Sequence, residues 1–284
     1  RDTDRSRGLG DVYKRQDHAT GKYVVFVDPD DWILPDYCLG LYNLQAAYSG
    51  RGLVIQGMLC RRTDGTSLPS LSLPDRYLPF SSIGKSFAEN NICEMGYAVS
   101  KIYARSIIEE FSIRFDENIH CLEDLLFMYQ YLLHCDYLVL NHMQNYVYVK
   151  HSFSLSHRIH SFESEYCCFV KYQQLLAEMM KVWKIPAGDM VVTVNSMLVP
   201  FRRALKSDYQ PDRTIPREMR VKHLKRMISE SRDVFLKYYH PVFKTDKLGK
   251  VLLGFNCYIL YDFYIRLLFR LNIGPVFYGP KHMY

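Results

Sequence analysis

The chain has 284 residues, 48% hydrophobic and 23% charged, which suffices for one large domain or two small ones without a disulfide or metal staple. Its eight cysteines form no Cys-x-x-Cys pair, have no histidine at zinc spacing and follow no secretory leader, which excludes a disulfide scaffold or zinc module and points to a reduced, cytosolic compartment. The net charge of +6 is uneven, at +2 over residues 1–16, −6 over 17–200 and +10 over 201–284; the basic tail suits an anionic membrane surface, and no nucleic-acid motif accompanies it.

Residues 1–16 are polar and aperiodic. Within them Asp11-Val12-Tyr13-Lys14-Arg15-Gln16 resembles the translation of a transposon adapter end used in sequencing libraries, so this stretch is expected to be a non-native leader on a truncated gene. Next, Tyr23-Val24-Val25-Phe26-Val27 runs straight into Asp28-Pro29-Asp30-Asp31, a buried strand delivering carboxylates to a crevice. Carboxylates so close repel unless a cation sits among them, and Asp-x-Asp suits a hard divalent ion that a phosphate also reaches. A solvated turn has the same composition.

Leu34, Tyr37, Cys38, Leu41, Leu44 and Tyr48 recur at helical spacing, with Pro35 in the first turn and Gly50 as a stop. Gly52 to Leu59 reads as a strand, so strand, helix and strand predict a crossover in a sheet with a parallel component. Residues 60–91, rich in Ser, Pro and Gly, read as a long loop, a candidate acceptor-side wall. Lys101 and Tyr103 follow, then a helix faced by Leu122, Leu125, Leu126, Tyr129, Leu132 and Leu133. Glu123 and Asp124 fall in its first turn, where the helix dipole favours anions, and capping alone explains them there.

Strands are predicted at Tyr137–Leu140 and Asn145–Lys150, ending at His151. Four helical stretches come after them: Glu163 to Trp183, Gly188 to Lys206, Ile215 to Tyr239 and Leu248 to Leu271. Residues 251–271 are apolar apart from Asn256, Asp262, Arg266 and Arg270, with Asp262 and Arg266 spaced to pair. Charge at mid-segment makes a bilayer span expensive, so residues 244–271 are expected to lie flat on an anionic leaflet, aided by Lys244, Lys247 and Lys250, or to pack on protein.

Several blocks resemble the inverting GT-A glycosyltransferases of family 2: Ala19-Thr20-Gly21-Lys22-Tyr23 with the strand and Asp28 to Asp31, Ser100-Lys101-Ile102-Tyr103, Phe115-Asp116-Glu117 with Glu123-Asp124-Leu125-Leu126-Phe127, and Tyr146-Val147-Tyr148 with Ser154-Leu155-Ser156. The family's nucleotide-gripping strands and its Ala-Arg-Asn segment have no match here. The resemblance implies an α/β fold with a mixed, Rossmann-like GT-A sheet that lacks its first strands, followed by a mostly helical region. The domains implied are a catalytic half over 17–157 and a helical extension over 158–284.

It further implies transfer of a sugar from a nucleoside-diphosphate sugar to a glycan or lipid-linked acceptor, with inversion, in bacterial surface polysaccharide synthesis at the inner face of the cytoplasmic membrane. Asp30 would hold Mg²⁺ or Mn²⁺ on the diphosphate, with Asp28 a further metal ligand nearer the ribose and sugar. Asp124 would be the general base, Glu123 its neighbour and Asp31 a further metal ligand or a helix cap. His151 is a further candidate metal ligand, better suited to Mn²⁺ than Mg²⁺, and Lys101 a candidate contact to a phosphate or to an acid of the site; a plain surface residue is the other reading of each. Two rival readings are an Mg²⁺-dependent phosphatase of the haloacid dehalogenase type, for which Asp31-Trp32 is the wrong sequel, and a non-catalytic helical fragment that binds membrane surfaces.

Overall fold

The computed structural model describes residues 16–89, 92–151, 159–185, 191–210, 212–237, 239, 241, 243–271 and 273. Leader residues 1–15 and the Ser154-Leu155-Ser156 block lie outside these. Gln16 is buried and its side-chain amide donates to Ile113 O at 2.7 Å, while Asp17 pairs with Arg114 at 3.0 Å. The chain divides into two units, one of residues 1–117, 122–154 and 174–191, the other of 118–121, 155–173 and 192–284.

The first unit holds β1 (Tyr23–Val24), β2 (Trp32–Ile33), α1 (Tyr37–Ala46), β3 (Gly52–Gln56), β4 (Met58–Arg62), β5 (Ser67–Leu71), β6 (Arg76–Pro79) and α2 (Phe80–Glu89). After a 3₁₀ turn at Ile92–Met95 come β7 (Lys101–Ala104), α3 (Arg105–Glu110), α4 (Glu123–Leu132), β8 (Tyr137–Asn141) and β9 (Tyr146–Lys150). One sheet has the order β1-β7-β3-β8-β6 and the other β2-β9-β4-β5. Among the described residues only β3 with β8 and β4 with β9 run parallel. Since β1 and β3 are each antiparallel to β7, they run in the same direction with β7 between them, which gives the predicted crossover through α1.

Two expectations are corrected here. The predicted strand over 52–59 is two strands, because the chain crosses from one sheet to the other at Gly57, where an added Cβ would stand 2.5 Å from Leu71 O. Residues 60–91 are mostly regular structure rather than a loop. Their β4–β5 hairpin turns at Asp64, whose Oδ1 accepts the Thr66 N–H at 2.8 Å, and Gly65 at φ 86°. Pro69 obscured β5, but β5 is an edge strand and an edge tolerates the missing N–H.

The core between sheet and helices packs Tyr37 and Leu41 of α1 against Val54, Ile102, Tyr137, Val139 and Tyr146. β1 leaves its ladder after Val24, so the expected buried strand is shorter, and Val27 is exposed. Phe26 packs edge-on against Tyr103, Phe115 and Phe127 at centroid distances of 5.4–5.6 Å. Edge-to-face contacts of this kind are worth about 1 kcal/mol each beyond their buried area, and they fasten the chain just ahead of Asp28 to α4, the helix of Asp124.

The second unit is helical, with α6 (Val191–Ser207), α7 (Arg217–Glu230), α8 (Arg232–Lys237), α9 (Lys244–Gly254) and α10 (Tyr258–Arg270); α5 (Phe162–Trp183) begins in this unit and ends in the first. Two of the predicted helices are each broken in two. Ser231 interrupts one, and Asn256, at φ 58°, reverses the chain between α9 and α10 as asparagine tolerates. Arg203 makes two 2.8 Å hydrogen bonds to buried Glu165, and Asp262 takes bonds of 2.6 and 3.0 Å from Arg220. The expected Asp262–Arg266 pair is therefore overturned: Asp262 faces inward, one helical step away from exposed Arg266.

Candidate active site

The first unit holds the predicted acids on two segments and His151 on a third. After β1 the chain turns through Asp28–Asp31, closed by the Asp31 N–H donating to Asp28 O at 3.1 Å. Asp31 is neither a helix cap nor a free ligand. It accepts the Tyr146 hydroxyl at 2.6 Å and the Val149 N–H at 2.7 Å, while that same hydroxyl accepts the Asp28 N–H at 3.1 Å. Tyr146 is thus a strut between β9 and the acid turn, leaving Asp28 and Asp30 as the carboxylates with open faces.

Asp30 Oδ2 lies 3.1 Å from His151 Nε2, at the end of β9. That nitrogen is buried and has no hydrogen-bond partner among the described residues. A nitrogen and a carboxylate oxygen so placed, and otherwise unspoken for, fit a shared cation. Among the described residues no three His, Cys, Asp or Glu side chains group into a cage. A cation that keeps waters and phosphate oxygens needs only one or two protein ligands, so the pair suffices.

Asp124 approaches from α4. Its Oδ2 accepts the Ala98 N–H at 3.3 Å, a bond to a different segment, so helix capping does not account for it. Leu122, just before the helix, has φ 61°, a conformation that costs a leucine on the order of 1–2 kcal/mol and aims the Glu123-Asp124 turn. Burial, then the charge of Glu123, pushes the Asp124 carboxyl up to about 7. Asp28 keeps a solvent-reached edge, yet loss of hydration among the surrounding chain atoms, then the charges of Asp124, Asp31 and Asp30, push it to about 7 as well. Asp124 has the largest effect of the three, so the acid turn and the start of α4 lie close enough to interact, in keeping with the contact of Phe26 with Phe127.

Lys101 is placed differently from a phosphate contact. It is fully buried, its Nζ donates to Tyr97 O and to Val99 O at 3.3 Å, and it sits 3.7 Å from the Tyr97 ring centroid. Burial holds its ammonium well below the usual lysine range, while Asp124 opposes that shift. Its charge therefore reaches the site through the protein, on Asp124. Ser100 sets it there, with φ 57° and an Oγ that donates to Gln56 O at 3.1 Å and Gly57 O at 2.9 Å. Sequence reasoning missed Ser100, Leu122 and the strut role of Tyr146; only the Tyr-x-Tyr block gave any signal of the last.

This sheet order, with acids at the strand ends and a helical region after them, is the mixed α/β fold of the GT-A glycosyltransferases, and it gives the phosphatase alternative no support. Among solved structures the chain is similar to S. aureus TarS 1-349 in complex with UDP-GlcNAc, with a TM-score of 0.58 and 14% identity over 92% of this chain and 71% of that one. The same protein in complex with UDP gives a TM-score of 0.57 at 14% identity, over 92% of this chain and 70% of that one. In sequence it is 30% identical over 113 residues, 39% of its length, to the Bacillus subtilis (strain 168) protein named "Putative glycosyltransferase EpsH". The chain spans about a third of that relative, the match covering 32% of it. No family model matches.

Proposed function

We propose that the chain transfers a sugar from a nucleoside-diphosphate sugar to a hydroxyl of a glycan or lipid-linked acceptor, with inversion, in polysaccharide synthesis. The observation that carries this reading is that separate segments, fastened by the packing of Phe26 on Phe127, bring Asp28 and Asp124 close enough to interact, with each carboxyl pushed to about 7. Inverting transfer needs an acid turn that receives the donor's diphosphate and, across the sugar, a carboxylate that takes the acceptor's proton. A base is most useful when its pKa lies near the working pH, which is where Asp124 stands.

In this reading Asp124 orients the acceptor hydroxyl and accepts its proton as the new bond forms. Glu123 raises its proton affinity, and Lys101 limits that rise from behind. Asp28 borders the donor's ribose and sugar. Asp30 and His151 would hold Mg²⁺ or Mn²⁺, whose Lewis acidity offsets charge on the departing diphosphate. The UDP and UDP-GlcNAc complexes of the structural neighbour support a nucleotide donor.

The test is titration calorimetry of the chain with Mn²⁺ and then with UDP-, GDP- and dTDP-sugars, alongside nucleotide release. We expect Asp30→Ala and His151→Ala to lose Mn²⁺ binding and Asp124→Asn to keep donor binding without turnover. No binding of any nucleotide sugar overturns the proposal, and wild-type turnover by Asp124→Asn removes that residue from the role.

A further inference from the structure

The last two helices of the second unit turn an apolar face of one charge sign to solvent. Phe255, Ile259, Leu260 and Phe263 are 78%, 58%, 54% and 65% exposed, Leu267 and Leu271 continue the stripe at helical spacing, and Leu248 and Val251 of α9 are exposed as well. Large side chains opening to solvent on consecutive turns form a patch of the kind that marks an interaction site. α10 cannot roll to hide it. Its opposite face buries Tyr261, Ile265 and Leu268, and Arg220 and the Tyr209 hydroxyl hold Asp262 inside.

Charge decides what covers this face. Between Lys244 and Arg270 the only acids are Asp246 and Asp262. Both are buried, at 6% and 2% exposure, and paired internally, Asp246 with Arg202 at 3.0 Å and Lys206 at 3.6 Å, Asp262 with Arg220. Lys244, Lys247, Arg266 and Arg270 therefore stay at the surface with no carboxylate partner among the described residues, while half-buried Lys250 donates to Leu236 O at 3.4 Å and lies 5.9 Å from the Phe235 ring centroid. Beside the stripe, a groove of about 550 Å³ is lined by Arg217 and Lys225 on one side and by Tyr258, Ile259, Leu260 and Phe263 on the other, with no acid in its wall. Two cations next to an apolar wall match a phosphate joined to acyl chains. A second copy of the chain is a poor occupant, because facing copies would set these cations against one another.

We propose that this face lies on a bilayer, with α10 in the interfacial plane and the phosphate of an anionic phospholipid seated between Arg217 and Lys225. A surface seat fits the helix lengths. No helix among the described residues is long and apolar enough to cross a membrane, and 13 residues of α10 reach only about 20 Å. The second unit alone carries this inference, so it stands or falls separately from the sugar-transfer reading.

The experiment is co-sedimentation of the full chain with vesicles of phosphatidylcholine alone and of phosphatidylcholine with phosphatidylglycerol, at low and high salt. We expect binding at least tenfold tighter to the anionic vesicles, weakening with salt. Arg217→Gln with Lys225→Gln weakens it about twenty-five-fold, from roughly fivefold per cation. Phe263→Glu abolishes it while circular dichroism and the urea midpoint stay at wild-type values. Phe263→Trp gains a blue-shifted emission, measured against the wild-type background, only with anionic vesicles. Three results each overturn the proposal: no sedimentation at low salt, equal binding to both vesicle types, or a wild-type dimer in sedimentation velocity that Phe263→Glu dissociates.

Discussion

Replacing Asp124 by asparagine separates the chemistry of this site from its stability. In the folded chain burial is the largest influence on Asp124 and the Lys101 charge the smallest, so the net effect is to raise the carboxyl from 3.8 to about 7. A raised acid means that the folded form holds the proton more tightly than the unfolded one. Stability from this residue is therefore full below about pH 4, falls as pH rises through the interval to about 7, and is constant above it. About three pKa units correspond to a ceiling near 4 kcal/mol, which partial solvent access and screening reduce to about 2 kcal/mol. Asparagine keeps the shape and cannot ionise. At pH 8 the variant should thus be about 1–2 kcal/mol more stable and melt about 2–8 °C higher, with the gain shrinking toward zero as pH approaches 4. Transfer should drop about 10²–10⁴-fold over the same pH range. Urea unfolding from pH 4 to 8.5, run beside nucleotide release, reads both. A variant that is less stable at pH 8, or whose gain ignores pH, refutes the electrostatic account of Asp124.

Removing the strut hydroxyl in Tyr146→Phe leaves Asp31 and the Asp28 N–H each short of a partner, and should cost about 1–3 kcal/mol in urea unfolding and weaken Mn²⁺ binding. An unchanged midpoint would remove the strut. Lys101→Met replaces a fully buried ammonium with a neutral chain of similar length, so the fold should hold while the acidic limb of the pH–rate profile moves upward, because the lysine lowers the Asp124 carboxyl. An unmoved limb in folded protein would uncouple the two residues. Gly96→Ala puts a methyl 2.4 Å from Leu125 Cδ1 and 2.9 Å from its Cβ, next to Asp124, and should cost about 1–3 kcal/mol and a disproportionate share of nucleotide release. Full activity at the wild-type rate would show that α4 tolerates the shift.

The parts of this molecule legible in its sequence are those with a local cause. Apolar runs gave β3, β8 and β9, and helical spacing gave α1, α4 and α5, in each case to within a few residues. Motif order singles out the acid turn and Asp124, and the end of a strand singles out His151, and all three lie in the first unit. What stayed hidden has a tertiary cause. Pro69 reads as a loop signal unless its strand is known to be an edge, and Gly57 reads as mid-strand unless a second sheet is known to begin there. Asp262 and Arg266 satisfy the spacing of a surface pair, yet the i,i+4 attraction is worth only a few tenths of a kcal/mol, and burial against Arg220 outweighs it.

The same contrast explains why two strained residues sit where they do. Among the described residues only five other than glycine have positive φ, and Ser100 and Leu122 are two of them, each directly ahead of a residue of the site. Neither gains from the conformation locally. Ser100 is held by hydroxyl bonds to the carbonyls of Gln56 and Gly57, at the point where the chain changes sheets, and that crossing in turn directs Lys101 inward toward Tyr97. Leu122 precedes a helix whose next residues include Leu125, Leu126 and Phe127, and Phe127 stacks on Phe115 at 4.4 Å while meeting Phe26 edge-on at 5.5 Å. The aromatic cluster thus grips the strand ahead of Asp28 and the helix of Asp124 at once. Packing of that size, several kcal/mol, is what sustains about 1–2 kcal/mol of backbone strain at each turn, and it is why two acids that repel each other are nevertheless held near one another.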